Sequence, residues 1–208
     1  MSLSTIFSVS FSLLLKQIDQ DLAKQARAEP CAICDAGALH SARYPRKLRG
    51  VPDSVAARFT RRESFCCAVD GCRCRTTPPS VVFQGRRLYF AASMMLASAF
   101  ASGGRIHRAE RLQALFGVDP RTLRRWQQWW HEAFPASPFY RAASGRFVPP
   151  LEASDLPRSL LERFDGQGSE GLLFALLFLA PMSTGSVSFD RTERWLKKTR
   201  RAHVETGQ

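Results

Sequence analysis

The chain has 208 residues, 45% of them apolar, and Lys plus Arg outnumber Asp plus Glu by 30 to 18, a formal net charge of +12. This length allows one ordinary domain or two small ones, and the apolar share excludes a globally disordered chain. The charge selects no fold, but it favours phosphate backbones, anionic lipid or acidic proteins as partners. Arginine far exceeds lysine, and guanidinium forks suit phosphate and guanine edges; a GC-rich genome is the other source of such a bias.

In chain order, the first feature is the apolar run from Leu3 to Leu15. It lacks the basic start of a signal peptide, and it is shorter than the roughly 20 apolar residues of a membrane span. A charged stretch separates it from the Ala-x-Ala at Ala26–Ala28. The pattern predicts a helix over residues 3–26, amphipathic in its second half. "GLLFALLFLAPM", Gly171–Met182, is also too short to span and reads as a buried helix. The expectation is a cytoplasmic protein with no membrane partner.

All six cysteines fall in two clusters, "EPCAICDAG" and "ESFCCAVDGCRCRTTPPS". Disulfides need an oxidising compartment, and no convincing export signal is present. Metal binding needs four thiolates or imidazoles at tetrahedral corners. Cys31-x-x-Cys34 is a knuckle that presents two thiolates from one turn, and Cys67-x4-Cys72 supplies the second pair, with Gly71 freeing its turn. The expected ligands of a structural Zn2+ are therefore Cys31, Cys34, Cys67 and Cys72. Cys66 is the rival of Cys67, because strand neighbours face opposite sides and only one of the two can face the ion. Cys74 is the alternate to Cys72, and His40 is an outside candidate. Four thiolates leave no open position for water, which makes the site structural rather than catalytic. "PCAIC" matches half of the nucleobase deaminase signature, but no His-x-Glu precedes it.

"YPRKLRGVPDS" reads as a basic, turn-rich loop between the clusters, and Pro78 and Pro79 stop regular structure after the second. Residues 86–102 predict a buried helix ended by Gly103 and Gly104. "RIHRAERLQALFGVDPRTLRRWQQWWHEAFP" then reads as two helices joined by a tight turn. The first, about His107 to Phe116, buries Leu112, Leu115 and Phe116. Gly117 makes the reversal, Asp119 is a good N-cap, and Pro120 is favoured at the first helical position. In the second helix Leu123, Gln127, Trp130 and Phe134 share a packing face with Trp126 beside them. Arg121, Arg125 and Gln128 point away, with Arg124 and Thr122 on the flanks. Arg and Gln read guanine and adenine edges in the major groove, and a recognition helix uses its N-terminal residues to do so. Arg46, Lys47, Arg49, Arg73 and Arg75 sit in or beside the knuckles, placed to grip phosphates. A solvated basic face on an ordinary helical hairpin is the bland alternative.

The order CxxC, CxxxxC, then "VDPRTLRRWQQWW" resembles the zinc-ribbon and helix-turn-helix front ends of bacterial insertion-element proteins, some transposase-associated, over about residues 29–135. The resemblance implies a zinc role for the matching cysteines and a DNA-reading role for the matching helix. The chain departs from a transposase in lacking room, and strand-borne acids, for a catalytic domain after Phe134. No Gly-rich phosphate loop, Ser/His/Asp set or Gly-x-Ser-x-Gly elbow appears either, so no enzyme is expected.

The expected fold is mainly α: a small zinc-ribbon-like module followed by a helical domain containing a helix-turn-helix. The expected divisions are an N-terminal helix (1–28), the ribbon-like module (29–80), the helix-turn-helix domain (81–135), a linker and C-terminal helices (136–180), and a basic, flexible tail (181–208). The tail is read as a further phosphate-binding arm or a solubilising end. The expected partner is double-stranded DNA, with a transposase or integrase as a second partner. So small a reading face gains from homodimerisation, for which the apolar C-terminal helices offer a contact. The rival function is a protein-interaction adaptor that uses the ribbon and the Trp-rich helix; exposure of Trp126, Trp129 and Trp130 together would favour it.

Overall fold

A computed structural model describes residues 6–84, 89–101, 113–164 and 169–205. The chain is mainly helical with a small sheet region. Helix α1, Val9–Ala28, starts where the Ser8 hydroxyl accepts the Phe11 amide at 3.2 Å. It therefore begins later than the apolar run suggests, because a side-chain cap, not hydropathy, sets the first turn. Phe11, Leu15, Ile18, Leu22 and Ala26 are buried, one stripe at helical spacing along the whole element. Pro30 follows its end and cannot continue it.

A region of very short strands comes next. β1 (Leu39–Ser41), β4 (Phe65–Cys67) and β5 (Arg75–Thr76) form an antiparallel sheet in the order β1-β4-β5. Its register sets Leu39 opposite Cys67 and His40 opposite Cys66. β2 (Tyr44–Pro45) pairs with β3 (Arg61–Arg62), and the short helix α2 (Asp53–Ala56) lies in the loop between them.

β6 (Phe83–Gln84) pairs with β7 (Tyr89–Phe90), and β7 leads directly into α3, Ala91–Ala101. The sequence suggests a helix through residues 89 and 90; the structure shows a strand pair there, with Phe83 opposite Phe90. Every residue from Ala91 to Ala99 is buried. Small Ala and Ser with Met and Leu give this helix no polar face, so it must be surrounded. α4 (Pro120–Gln128) and α7 (Glu170–Leu179) pack against it. α4 runs on as a π-helical stretch, Trp129–Ala133, and α5 (Pro138–Ser144) and α6 (Arg158–Arg163) complete this body.

Residues 181–208, expected as a flexible tail, instead carry α8, Phe189–Arg200, which packs on α1. Its inner face is not basic: Thr192, Trp195 and Thr199 are buried. Trp195 Nε1 donates to Glu29 Oε1 at 2.7 Å, and Gln25 Nε2 donates to Thr199 Oγ1 at 2.7 Å. The two ends of the chain are thus stapled together, a long-range pairing that local composition does not reveal. Among the described residues no helix is long and apolar enough to cross a membrane.

Candidate metal centre and basic surface

The loop before β1 and the turn after β4 bring four sulfurs together. Those of Cys31, Cys34, Cys67 and Cys72 all lie within 4.8 Å of one another. Cys31 and Cys72 are 3.8 Å apart, and Cys34 and Cys67 are 3.6 Å apart. A disulfide needs about 2.05 Å, and all six cysteines are free. An ion held at about 2.3 Å by four thiolates sets its sulfurs about 3.8 Å apart. The donor set therefore fits a metal ion in both chemistry and spacing.

Local backbone conformation explains why these four meet. In the first knuckle the Asp35 amide donates to Cys31 O at 2.9 Å, and Asp35 takes a left-handed conformation at φ 53°. The Cys31 amide then donates to Gly37 O at 2.9 Å, closing the loop. In the second, Cys72 N and Arg73 N both donate to Val69 O, Gly71 has φ 86° and Arg73 φ 44°. Gly37 has a further role. A Cβ there would lie 2.2 Å from Cys67 Sγ and 3.4 Å from Cys34 Sγ. No side chain fits at that point without displacing a ligand, so the glycine is required for space rather than for backbone freedom.

Amides around the cluster favour thiolates. The Cys34 and Ile33 amides lower Cys31. The Ala36 amide, with Gly37 behind it, brings Cys34 down to about 7. The Val69 and Cys74 amides pull the same way on Cys67 and Cys72. Burial and the neighbouring sulfurs outweigh them, raising Cys67 and pushing Cys72 up to about 12. Without a cation the cluster holds only part of the negative charge its amides invite. A bound cation removes the repulsion and releases the remaining protons.

The alternates lie elsewhere. Cys66 is next to Cys67 on β4 but points the other way, its sulfur 3.4 Å from the carbonyl of Arg73. Cys74 is half-buried beside Cys72 and outside the four-sulfur cluster. His40 is exposed on β1, opposite Cys66.

The helix after Gly117 starts as its caps require. Gly117 has φ 58°, Asp119 Oδ1 accepts the Arg121 amide at 2.7 Å, and Pro120 is the first helical residue. Leu123, Trp126, Trp130 and Phe134 are buried, and Gln127 is half-buried. Arg121, Arg124, Arg125 and Gln128 are exposed. Thr122 is not part of that surface: it is buried, and its hydroxyl accepts from Arg125 Nη2 at 2.8 Å, steadying that guanidinium. Of the helix expected before the turn, residues 107–112 lie outside the described residues; residues 113–116 are helical. Phe116 is buried, but Leu115, expected to be buried, is exposed.

Lys47, Arg49, Arg73 and Arg75 are exposed, whereas Arg46 is half-buried. Arg73 pairs with Asp70 on its own turn. Arg62, another cation near the second cysteine cluster, is buried and donates to the carbonyl of Pro78. Arg86 and Arg87 lie outside the described residues. On α8 and the π-helical stretch that continues it from Arg201, Arg194, Lys197, Lys198 and Arg201 are exposed at i, i+3, i+4 and i+7, so the tail's charge forms a helical stripe.

Three contacts that sequence reasoning missed join the basic loop to α4, directly or through β7. Gly50, at φ 79°, sits so close that a Cβ would meet Val118 Cγ2 at 3.5 Å and Trp126 Cη2 at 3.6 Å. Tyr89 meets Trp126 edge-on, ring centroids 4.8 Å apart, and Arg49 O accepts the Phe90 amide at 3.0 Å. Gly50, in "RKLRGVPDS", was the only local sign, and it read simply as a turn residue. Arg49 is thereby held beside the helix that carries Arg121 and Arg125. No protein-family model, curated protein sequence or solved structure matches the chain.

Proposed function

We propose that the chain is a non-enzymatic, sequence-specific DNA-binding protein in which a structural zinc ion pins a basic loop next to a groove-reading helix. The observation that carries this reading is the two-sided character of α4. Its apolar side is buried against α3 and, with Gln128 exposed at its last residue, Arg121, Arg124 and Arg125 stand in solvent at its N-terminal end and middle. That is the part of a recognition helix that meets base edges. The cation is zinc in this reading because four soft thiolates at tetrahedral spacing suit it. Phosphate contacts from Lys47, Arg49 and Arg75 supply affinity, and the helix supplies choice. In this reading α4 and the residues before Gly117 form a helix-turn-helix, and the resemblance to insertion-element proteins supports an accessory factor of a transposase or integrase, or a regulator of its gene. The adaptor reading needs an exposed tryptophan cluster, and Trp126 and Trp130 are 4% and 1% exposed.

Salt titration of binding to selected and to unrelated duplexes tests the proposal. The log of affinity falls steeply with log salt. Replacing Arg121 and Arg125 with Gln narrows the gap between the selected and unrelated duplexes by about 1–3 kcal/mol per lost bidentate contact. A slope near zero, or equal weakening on every sequence, overturns groove reading by this helix.

A further inference from the structure

The β2–β3 arm and the loop after α7 border an open cleft of about 620 Å3. Arg46, Arg62, Tyr44 and Thr77 line one side, and Ser183 to Ser186 the other. Among the described residues none that line it is acidic. The far wall is pinned to the arm's base: Thr184 Oγ1 donates to Thr77 O at 2.6 Å, Ser186 Oγ accepts the Thr77 amide at 2.7 Å, and Ser183 Oγ accepts the Ser80 amide at 2.7 Å. The cleft therefore exists before any ligand arrives.

Its cations are held in an unusual way. The Arg46 guanidinium lies 4.2 Å above the Tyr44 ring, and Arg75 approaches the same ring at 5.6 Å. Stacking fixes the plane of a guanidinium and leaves its edge donors free for a forked acceptor. Arg46 Nε is buried with no hydrogen-bond partner. An unpaired buried donor is a standing cost that a bound acceptor would remove. Tyr44 and Arg62 face each other across β2–β3, and Arg62 is only 4% exposed. Burial weighs most on Arg62 and the Asp19 carboxyl opposes it, while Arg46 adds a smaller like-charge repulsion. An anion between them relieves that repulsion.

We propose that this cleft is a phosphate-binding pocket, with Arg46 as the forked donor and Arg62 as the buried countercharge. A tetrahedral oxyanion has oxygens for both arginines at once, whereas a carboxylate has only two in one plane. The phosphate comes from a duplex backbone or from a free phosphorylated molecule; only the first source rests on the DNA reading above.

The test uses the full-length, metal-loaded chain. Thermal stability is followed against inorganic phosphate and pyrophosphate, with chloride holding ionic strength constant. Wild-type protein shows saturable stabilisation. Arg46→Gln weakens the apparent affinity at least tenfold, whereas Arg27→Gln, a substitution of an exposed cation on α1, leaves it unchanged. Gly185→Glu gives a second variant: a Cβ there meets nothing within 4 Å, so the fold tolerates it while a carboxylate enters the cleft and abolishes phosphate binding. Absence of saturation in the wild type, or wild-type affinity in Arg46→Gln and Gly185→Glu, overturns the pocket. Duplex binding then separates the sources. If the phosphate is DNA's, Arg46→Gln lowers the salt slope by about one and free phosphate competes with duplex. If duplex binding is untouched while phosphate binding is lost, the ligand is a free phosphorylated molecule. Failure of the Arg121 and Arg125 variants to alter sequence choice would leave the free-phosphate result standing.

Discussion

The cysteine-bearing region and the helical body reach order by different means. In the first, no strand among those described exceeds three residues. Few large apolar side chains stabilise it, chiefly Leu39, Leu48, Phe59 and Phe65. In the second, α3 is buried along nine consecutive residues and α7 along most of its length. A segment of some fifty residues with so small a share of the common core stands to gain from an ion. The helical body does not, because burial alone supplies its driving force. The two parts thus differ in how much hydrocarbon each buries, and the four-sulfur cluster lies in the poorer one.

Removing the proposed ion should break this comparison most sharply. Structural zinc contributes about 10–16 kcal/mol to small peptides at neutral pH, so chelation or Cys67→Ser should cost residues 31–76 their hydrogen-exchange protection while α3 and α7 keep theirs. Cys66→Ser should leave metal content unchanged. Simultaneous loss of protection in both regions would show one cooperative unit and dissolve the distinction. The reverse experiment is Phe134→Ala. Phe134 is fully buried among Trp129, Trp130 and Tyr140. Its truncation should cost about 3–5 kcal/mol by denaturant unfolding, with metal stoichiometry unaltered in the folded fraction.

The seam around Asp19 sharpens the comparison further. Asp19 on α1 accepts from the Ser80 hydroxyl and from the Val81 amide at 2.8 Å. Desolvation by burial raises its carboxyl from 3.8 to about 6, against the opposing pull of Arg62. The folded chain keeps a proton there that the unfolded chain has released. This stabilisation is therefore complete below about pH 4 and lost as pH rises through about 6. Unfolding free energy should fall by about 1–3 kcal/mol across that window, and Asp19→Asn should remove that slope. A smaller effect is expected at the N-cap of α4. Asp119→Ala should cost about 1 kcal/mol, measurable by thermal unfolding.

Much of the candidate site was legible because it is local. A CxxC turn, a cysteine pair separated by a glycine turn, and an Asp-Pro helix start each declare themselves within a few residues. Strand alternation was enough to see that Cys66 and Cys67 cannot both face one ion, and the register of β1 with β4 places Cys67 inward. Thr122 was misplaced because helical angle alone cannot tell whether a flank is covered; α3 packs closely enough against α4 to bury it. The burial of Arg62 was not legible, because a cation in a basic run reads as exposed until a carbonyl and a distant carboxyl are seen to receive it.

By itself the sequence determined which residues are able to ligate a metal, where α4 begins, which side of it is apolar, and that the middle of the chain contains a helix with no polar face. These properties follow from chemistry repeated over one or two turns of backbone. Only the tertiary structure decided that α8 closes on α1, that Gly50 seats the basic loop against Trp126, and that Arg46 and Arg62 share a cleft with the loop at residues 183–186. Each of those contacts joins segments far apart in the chain, and their partners are chosen by shape and unsatisfied polar groups after collapse, which no short stretch of sequence records.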